Sequence, residues 1–233
     1  MEVFYFENVC VGVLNLPEDE SKHISRVLRK NVGDCINITD GYGRIFLAEI
    51  ISTGKHCSVN VKFKELQENK RNYRLHIAIA PTKMMERMEW MIEKTMEIGV
   101  DEITPILCEH SERKIIKEER LRNIAISAMK QSKNLHLPKI NSLISFKEFI
   151  QSDIGGSKFI AYCENDNFKY FFDAAGEGNN TILIGPEGDF SREEVDIAFS
   201  KGFQGVSLGN TILRVETAAV AASMMMAIKN YKR

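Results

Sequence analysis

Two segments in the second half of the chain combine glycines with charged side chains at the end of an apolar run. Residues 184–191 read IGPEGDFS, and residues 208–219 read LGNTILRVETAA. Both segments follow a run typical of a buried strand and lead into a helical pattern. Because open α/β sheets bind ligands at the carboxyl ends of their strands, both segments are candidate ligand loops.

Taken alone, these residues also allow a purely structural interpretation. Ser191 and Glu194 have the spacing of a capping box, so the first loop can simply be a tight turn into a helix. In the second loop, Thr217 can cap the following helix while Arg214 pairs with Glu216. The two interpretations remain open at this point.

Several catalytic and cofactor motifs are absent from the sequence. There is no GxxxxGK[ST], no GxGxxG after the apolar run 75–80 and no GxSxG, so a P-loop, a dinucleotide site and a hydrolase elbow are not indicated. The five cysteines include no CxxC pair, and the five histidines are scattered. We therefore expect neither a metal centre nor a disulfide framework.

The composition is that of an ordinary globular protein. The chain has 233 residues, 31 Lys and Arg against 32 Asp and Glu, and 44% hydrophobic residues. Its longest mostly apolar run, 218–228, is about half of the ~20 residues that a membrane span needs. The first residues lack the basic region of a secretory signal. These features predict a cytoplasmic protein without a membrane partner.

Charge is unevenly distributed along the chain. Residues 22–30 hold four bases and no acid, and residues 110–139 hold eight bases against three acids. Such runs are often solvated helix faces, but they also provide the electrostatic footprint of a nucleic-acid-binding protein.

The elements that must position these residues differ between the two halves. Residues 1–70 carry short β-type runs at 35–39, 44–51 and 57–63, with Asp40-Gly41 as a hairpin signal and one helix capped by Asp19 or Ser21. This pattern predicts a small β-barrel. Residues 66–72 are polar and are interpreted as a linker.

From residue 73 onward, strand-like and helical patterns alternate. Strands are predicted at 75–80, 102–107, 158–162, 181–184 and 205–208, and helices at 84–98, 117–131, 191–201 and from about 216. The alternation predicts an α/β domain, 73–233, with a mostly parallel sheet covered by helices on both faces.

Together, the two candidate loops resemble those of the SPOUT class of RNA methyltransferases, and more narrowly those of the RsmE family. The family pattern reads IGPEGG-[FL]-[ST]-x-x-E and LGxRILRxETA, against residues 184–194 and 208–218 here. Further segments resemble parts of the family pattern, in the same order along the chain. They are HISRVLRKNVGD at 23–34, KMMER at 83–87, KTMEIGV at 94–100 and Gln131-Ser132. The sequence departs from the pattern at Asp189, Thr211 and Asn134.

The resemblance implies a reaction, a cofactor and partners. The second domain would be a trefoil-knotted SPOUT domain, and the first a PUA-like RNA-binding barrel. The protein would be a homodimer that uses S-adenosyl-L-methionine to methylate N3 of a uridine in 16S ribosomal RNA, in the decoding region of the small ribosomal subunit.

The resemblance also implies roles for residues of this chain. Arg214 would stabilise charge on the target base, with Glu216 or Glu187 orienting it or assisting proton removal. The remaining roles fall into two groups. Donor-binding residues would be Ile184, Gly185, Pro186, Glu187, Gly188, Leu208, Gly209, Ile212 and Leu213. RNA-binding residues would be Arg26, Arg29, Arg113, Lys114 and Lys133.

Two other functions remain open from the sequence. A non-enzymatic RNA-binding or ribosome-assembly protein would retain both domains, and Asp189, Thr211 and Asn134 would then belong to a degenerate site. A methyltransferase of the same class could act on a different RNA, for example on transfer-RNA ribose. Binding of the methyl donor separates the first alternative from an enzyme.

Overall fold

The computed structural model describes residues 3–66, 71–162 and 168–231. The chain forms two compact units, one of residues 1–69 and 129–137 and the other of residues 70–128 and 138–233. Cys163 and most of the predicted linker 66–72 lie outside the described residues.

Residues 129–137, predicted to belong to the second domain, pack with the first unit. The backbone N–H of Gly43 donates to the carbonyl of Leu135 over 2.9 Å, and that of Leu137 donates to Gly41 over 2.8 Å. These bonds join segments about 90 positions apart in the sequence, a separation at which local patterns carry no information.

The first unit is a mixed five-stranded sheet with one short helical segment. Its elements are β1 (Val3–Tyr5), β2 (Gly12–Asn15), α1 (Glu18–Lys22), a π-helical turn (His23–Val27), β3 (Cys35–Thr39), β4 (Arg44–Ser52) and β5 (Ser58–Leu66). The strand order is β1-β3-β4-β5-β2, with β1 parallel to β3 and the other pairs antiparallel. The predicted N-terminal β domain is confirmed, whereas closure into a barrel stays a prediction.

Alternating apolar residues of these strands build the core of the first unit. Ile36, Ile38, Ala48, Val59 and Val61 are buried in one cluster. Successive side chains of a strand point to opposite faces, so apolar residues at every second position of these strands reach this cluster.

The predicted cap at Ser21 is wrong. Ser21 lies inside α1, and its buried hydroxyl donates to the carbonyl of Leu16 over 3.3 Å and accepts from the backbone N–H of Cys57 over 2.8 Å. The hydroxyl therefore joins the helix to the sheet. The side chain of Asp19, the other proposed cap, lies outside the described part of the structure.

The second unit alternates strands and helices as predicted. Its elements are β6 (Tyr73–Ile79), α2 (Met85–Ile98), β7 (Glu102–Leu107), α3 (Glu118–Ser132), β8 (Lys139–Ile140), β9 (Ile144–Ser145), α4 (Phe146–Gln151), β10 (Ser157–Ala161), β11 (Lys169–Tyr170), α5 (Phe171–Ala174), β12 (Gly178–Ile184), α6 (Arg192–Ser200), β13 (Gln204–Ser207) and α7 (Val215–Lys229). The last four residues of α3 belong to the first unit.

All described strand pairs of the second unit are parallel, in the order β11-β13-β10-β12-β6-β7-β8, with β9 beside β7. The predicted parallel sheet with helices is confirmed, and the knot stays a prediction. The sequence did not indicate the two-residue strands or the short helices α4 and α5, because they are too short to display a period.

The cap predictions for the two helices α6 and α7 have opposite outcomes. Ser191 and Glu194 form the predicted capping box of α6. In contrast, α7 begins at Val215 with Arg214 as its N-cap residue, so Thr217 lies inside the helix and the cap proposed for it is wrong. Every helix within the described ranges lacks the length and apolar character that a membrane-spanning helix requires.

Candidate functional site

The candidate loops lie at one edge of the parallel sheet. β10 pairs in parallel with both β12 and β13, and β12 pairs in parallel with β6. The carboxyl ends of these strands therefore meet at one edge. Four loops begin there, at 80–84 after β6, 108–117 after β7, 185–191 after β12 and 208–214 after β13.

Glu187 joins the loop after β12 to the loop after β6. Its carboxylate oxygen Oε1 accepts a hydrogen bond from the backbone N–H of Lys83 over 2.9 Å. The Arg113 guanidinium donates to the carbonyls of Thr82 and Lys83, with Nη2 2.6 Å from the Lys83 oxygen. Both neighbours thus restrain the 80–84 loop.

The two glycines of the first loop make room for protein side chains. A Cβ on Gly185 would lie 3.0 Å from the Phe190 ring, and one on Gly188 would lie 3.2 Å from the His110 Cβ. The His110 Nδ1 atom is 3.1 Å from the Gly188 carbonyl and 3.0 Å from that of Asp189. These contacts explain both glycines by internal packing, so they give no support to the predicted donor-binding role of Gly185 and Gly188.

Asp189, which replaces a glycine of the family pattern, has a left-handed backbone with φ of 62°. Glycine adopts this conformation without strain, and aspartate is among the side chains that tolerate it best. The Asp189 carboxylate accepts from the backbone N–H of Phe190 over 2.8 Å. Aspartate is therefore compatible with the backbone at this position, and it adds a carboxylate to the loop.

Glu194 links a third loop to the first. Its buried carboxylate accepts from the backbone N–H of Ser191 over 3.0 Å and from that of Glu109 over 2.9 Å. Burial, and then the negative charge of Glu194, raises the pKa of the Cys108 thiol. Cys108 therefore remains protonated and is not an activated nucleophile. The sequence identified Glu194 only as a helix cap, since its bond to Glu109 crosses 85 positions.

The second loop contains Gly209, whose backbone lies in the positive region at φ of 154°. A Cβ built on Gly209 would meet no described atom within 4 Å, so the loop borders open space there. The Ser207 hydroxyl donates to the Gly209 carbonyl over 2.8 Å, and the Asn210 amide oxygen accepts from the Tyr170 hydroxyl. Leu208 and Leu213 are half-buried, while Ile212 is 87% exposed.

Arg214 and Glu216 differ in their environments. The Arg214 side chain is exposed at the start of α7, and no ion pair involves it among the described residues. The buried Glu216 carboxylate lies 3.7 Å from Nε of Arg87, on α2. The structural interpretation in which Arg214 pairs with Glu216 is therefore wrong, because Glu216 pairs with Arg87 instead.

The candidate RNA-binding residues belong to both units. Arg26, Arg29 and Lys133 are exposed on the first unit, and Arg29 and Lys133 have left-handed backbones with φ of 53° and 58°. Lys114 is exposed on the second unit, while Arg113 is half-buried against the 80–84 loop. Each unit therefore offers cations to solvent.

Comparison with protein families covers almost the whole chain. Residues 68–227 match the family described as the RNA methyltransferase domain, and residues 16–62 match the RNA methyltransferase PUA domain. Both candidate loops lie inside the first match.

Individual relatives agree with these family matches. The ribosomal RNA small subunit methyltransferase E of Buchnera aphidicola (subsp. Acyrthosiphon pisum) is 31% identical over 88% of this chain and 83% of its own length. A probable rRNA-methyltransferase from Porphyromonas gingivalis superposes with a TM-score of 0.90 at 42% identity, covering 99% of this chain and 98% of that one. The Neisseria gonorrhoeae ribosomal RNA small subunit methyltransferase E, solved with S-adenosyl methionine bound, has a TM-score of 0.78 and 28% identity, covering 96% and 95%.

Proposed function

Because the chain belongs to the RsmE family of ribosomal RNA small subunit methyltransferases, we propose that it methylates N3 of a uridine in 16S ribosomal RNA. The methyl donor is S-adenosyl-L-methionine, which a solved relative holds. The family match includes both candidate loops, which favours an enzyme over a purely RNA-binding protein.

The observation that carries this proposal is the convergence of the two loops. Residues 185–191 and 208–214 follow strands that flank β10 in one parallel sheet, so both loops begin at the same edge. The open space beside Gly209, next to the incompletely buried Leu208 and Leu213, leaves room for an apolar and planar group such as an adenine ring.

The predicted donor-binding residues would have distinct roles. Backbone of Ile184, Gly185, Leu208 and Gly209 would supply hydrogen-bonding groups at the strand ends, and Leu213 would pack on the donor. The predicted donor-binding set also includes Pro186, Glu187, Gly188 and Ile212. When bound, S-adenosyl-L-methionine supplies an electrophilic sulfonium methyl group, so the protein mainly positions the reactants.

Arg214 is the residue that we assign to the target base. Uridine N3 carries a proton, and its loss spreads negative charge onto the flanking carbonyl oxygens. A positioned cation stabilises such charge where water is excluded. The Arg214 guanidinium is exposed and is not part of any ion pair among the described residues, so it can contact substrate.

The two candidate carboxylates divide the remaining tasks. Glu187 is exposed and also accepts from the Lys83 backbone, so it is the one that can reach solvent or substrate. Glu216 is buried beside Arg87, in the first turn of the helix that Arg214 caps. We assign Glu187 to proton removal and Glu216 to positioning of the segment that carries Arg214.

The protein is proposed to act as a homodimer through the second unit. α2 and α7 pack against each other, yet Trp90 on α2 and Met224 and Ile228 on α7 remain exposed. Exposed apolar side chains on packed helices support an interface with a second copy. Sedimentation of the purified protein at several concentrations tests this: a mass twice that of one chain is expected, and a monomer would contradict it.

The decisive experiment is transfer of labelled methyl from S-adenosyl-L-methionine to small ribosomal subunits that lack the modification. Nucleoside analysis of the product is expected to yield N3-methyluridine. Another methylated nucleoside would overturn the assigned target but not the donor. A protein that binds neither donor nor subunit would overturn the proposal altogether.

A further inference from the structure

The tip of the hairpin between β3 and β4, residues 40–43, is restrained by hydrogen bonds and an ion pair within the hairpin itself. The carboxylate of Asp40 is fully buried, accepts from the backbone N–H of Tyr42 over 2.9 Å and pairs with Arg44. The backbone N–H of Gly41 donates to the Thr39 hydroxyl over 3.2 Å. A charge buried in this way is stabilised only by its partners, so the tip has little freedom to change shape.

The segment 129–137 also restrains the hairpin tip. The backbone N–H of Gly43 donates to the Leu135 carbonyl, and that of Leu137 donates to the Gly41 carbonyl. Tyr42 forms an isolated antiparallel bridge with His136. A Cβ on Gly41 would lie 3.0 Å from the Leu137 Cβ, and the φ of 82° favours glycine, so any side chain here would strain the tip. The tip is therefore held both by its own hairpin and by the 129–137 segment.

On this rigid support, the Tyr42 side chain is 69% exposed. Side chains opposite each other in an antiparallel bridge lie on the same face, so the partly exposed His136 is its neighbour. A tyrosine on a mobile loop loses backbone entropy when it binds a ligand. A tyrosine on a restrained backbone loses less entropy, so more of its contact energy contributes to affinity.

The uncompensated positive charge on this part of the first unit comes from Lys133, which is exposed on the 129–137 segment, a segment without an acid. Arg44 also follows Tyr42 on the hairpin with its side chain half exposed, but its charge is offset by the buried Asp40. Aromatic faces combined with cations are the usual means of binding single-stranded nucleic acid, because bases stack on the ring while cations contact phosphates. An acidic peptide would use the cations but has no need of the ring.

We propose that Tyr42, flanked by His136, is a stacking platform for an unpaired base of the RNA substrate. The proposal rests on the proposed function for the identity of the RNA, and it adds a contact in the first unit that is independent of the methyl-transfer site. The base is recognised by its π-face, so the contact tolerates any of the four bases.

The test compares three proteins, the wild type, Tyr42→Ala and Tyr42→Phe, in equilibrium binding of end-labelled oligouridine. Loss of one stacked base is expected to weaken binding of the Ala variant by roughly 5- to 100-fold. The Phe variant is expected to bind like the wild type, because the ring remains. Stacking involves no counterion, so the dependence of affinity on salt is expected to be the same in all three proteins.

Tyr231→Ala is the matched control, since Tyr231 is 76% exposed on the second unit. It is expected to bind oligouridine like the wild type, and thermal unfolding checks that all variants are folded. The proposal is overturned if Tyr42→Ala binds like the wild type, if Tyr42→Phe is as weak as Tyr42→Ala, or if the salt dependence changes.

The same measurement separates this proposal from the proposed function. If the wild type transfers no methyl group but the ring is still needed for oligouridine binding, the stacking platform stands and the assigned activity fails. If the wild type methylates subunits and Tyr42→Ala binds RNA normally, the activity stands and the platform fails. A wild type that binds no RNA overturns the platform as well.

Discussion

The backbone N–H of Lys83 donates a hydrogen bond to Oε1 of Glu187 over 2.9 Å. This bond joins the loops that follow two neighbouring strands, β6 and β12, at the edge where the methyl donor is proposed to bind. Because Glu187 is the exposed one of the two candidate catalytic carboxylates, one side chain both shapes the site and is available for chemistry.

Replacing Glu187 separates these two roles. Glu187→Ala removes the hydrogen-bond acceptor, so we expect affinity for S-adenosyl-L-methionine to fall roughly 3- to 10-fold, the value of one ordinary hydrogen bond. Glu187→Gln retains an acceptor oxygen but not the base, and we expect near-normal donor binding with slow methyl transfer. Calorimetric titration with donor and a methyl-transfer assay measure the two effects, and normal transfer by the Gln variant would remove Glu187 as the base.

Arg214→Ala is expected to impair the reaction and not donor binding. Loss of a cation aimed at developing charge lowers kcat by a factor on the order of 10²–10³. Arg214→Lys keeps the charge but not the guanidinium geometry and is expected to be intermediate. Single-turnover transfer to subunits measures the rate, and full activity of Arg214→Ala with unchanged donor affinity would refute the assigned role.

Gly209→Val is expected to abolish donor binding, because its side chain would occupy the open space beside the loop. The backbone at φ of 154° is also strained for valine, at a cost of about 1–3 kcal/mol in unfolding free energy. Gly54→Val is a close control, since Gly54 has φ of 152°, equally open surroundings and a place in the first unit. Both variants should lose similar stability, and equal donor binding by the two would contradict the site.

RNA affinity is expected to fall steeply as salt increases, since phosphate contacts release counterions. Arg26→Ala, Arg29→Ala and Lys133→Ala should each reduce the slope of log affinity against log salt by about one. Lys147→Ala is the control, because Lys147 lies 4.0 Å from Glu193 on the second unit. Binding of 16S RNA across a salt series measures the slopes, and salt-independent binding would exclude a phosphate-based interface.

The stability of the second unit is expected to decrease in mild acid because of His76. Burial lowers the pKa of this imidazole, although the charge of Glu102 opposes the shift and the charges of Lys139 and Arg74 add to it. Below about pH 6.5 the unfolded chain takes up a proton that the folded protein does not bind, so the unfolding free energy falls until the lowered pKa of the folded state is reached.

Replacement of His76 tests this dependence directly. His76→Gln removes the titration while it keeps a hydrogen-bonding group near the Thr104 hydroxyl, which lies 2.7 Å from His76 Nε2. Denaturant unfolding between about pH 7 and about pH 5 should show a weaker pH dependence in the variant. Identical dependence in both proteins would show that other groups control acid stability.

Local sequence predicted the elements that have a clear period or a complete end signal. Helix α2 places Met88, Met91, Ile92 and Met96 on its buried face and ends at Gly99, as its spacing predicts. The capping box at Ser191 and the strand Glu102–Leu107 were likewise predictable. The short elements β8, β9, β11 and α5 were not, since two to four residues contain no period.

The contacts that shape the candidate site lie beyond local sequence. Glu216 was expected to act near Arg214 or pair with it, yet its partner is Arg87, 129 positions away. Glu187 meets Lys83 across 104 positions, and Glu194 meets Glu109 across 85. Sequence spacing cannot indicate such pairs, because they exist only once the parallel strands are aligned in register.

The sequence by itself therefore determined the α/β class of the second unit, the ordered motifs that indicate an RNA methyltransferase, and the two candidate ligand loops. Only the tertiary structure decided which strands are neighbours, which carboxylate is buried, and that residues 129–137 pack on the Tyr42 hairpin. The physical reason is that propensity, capping and periodicity act within about one or two helical turns, whereas burial and pairing depend on the whole fold.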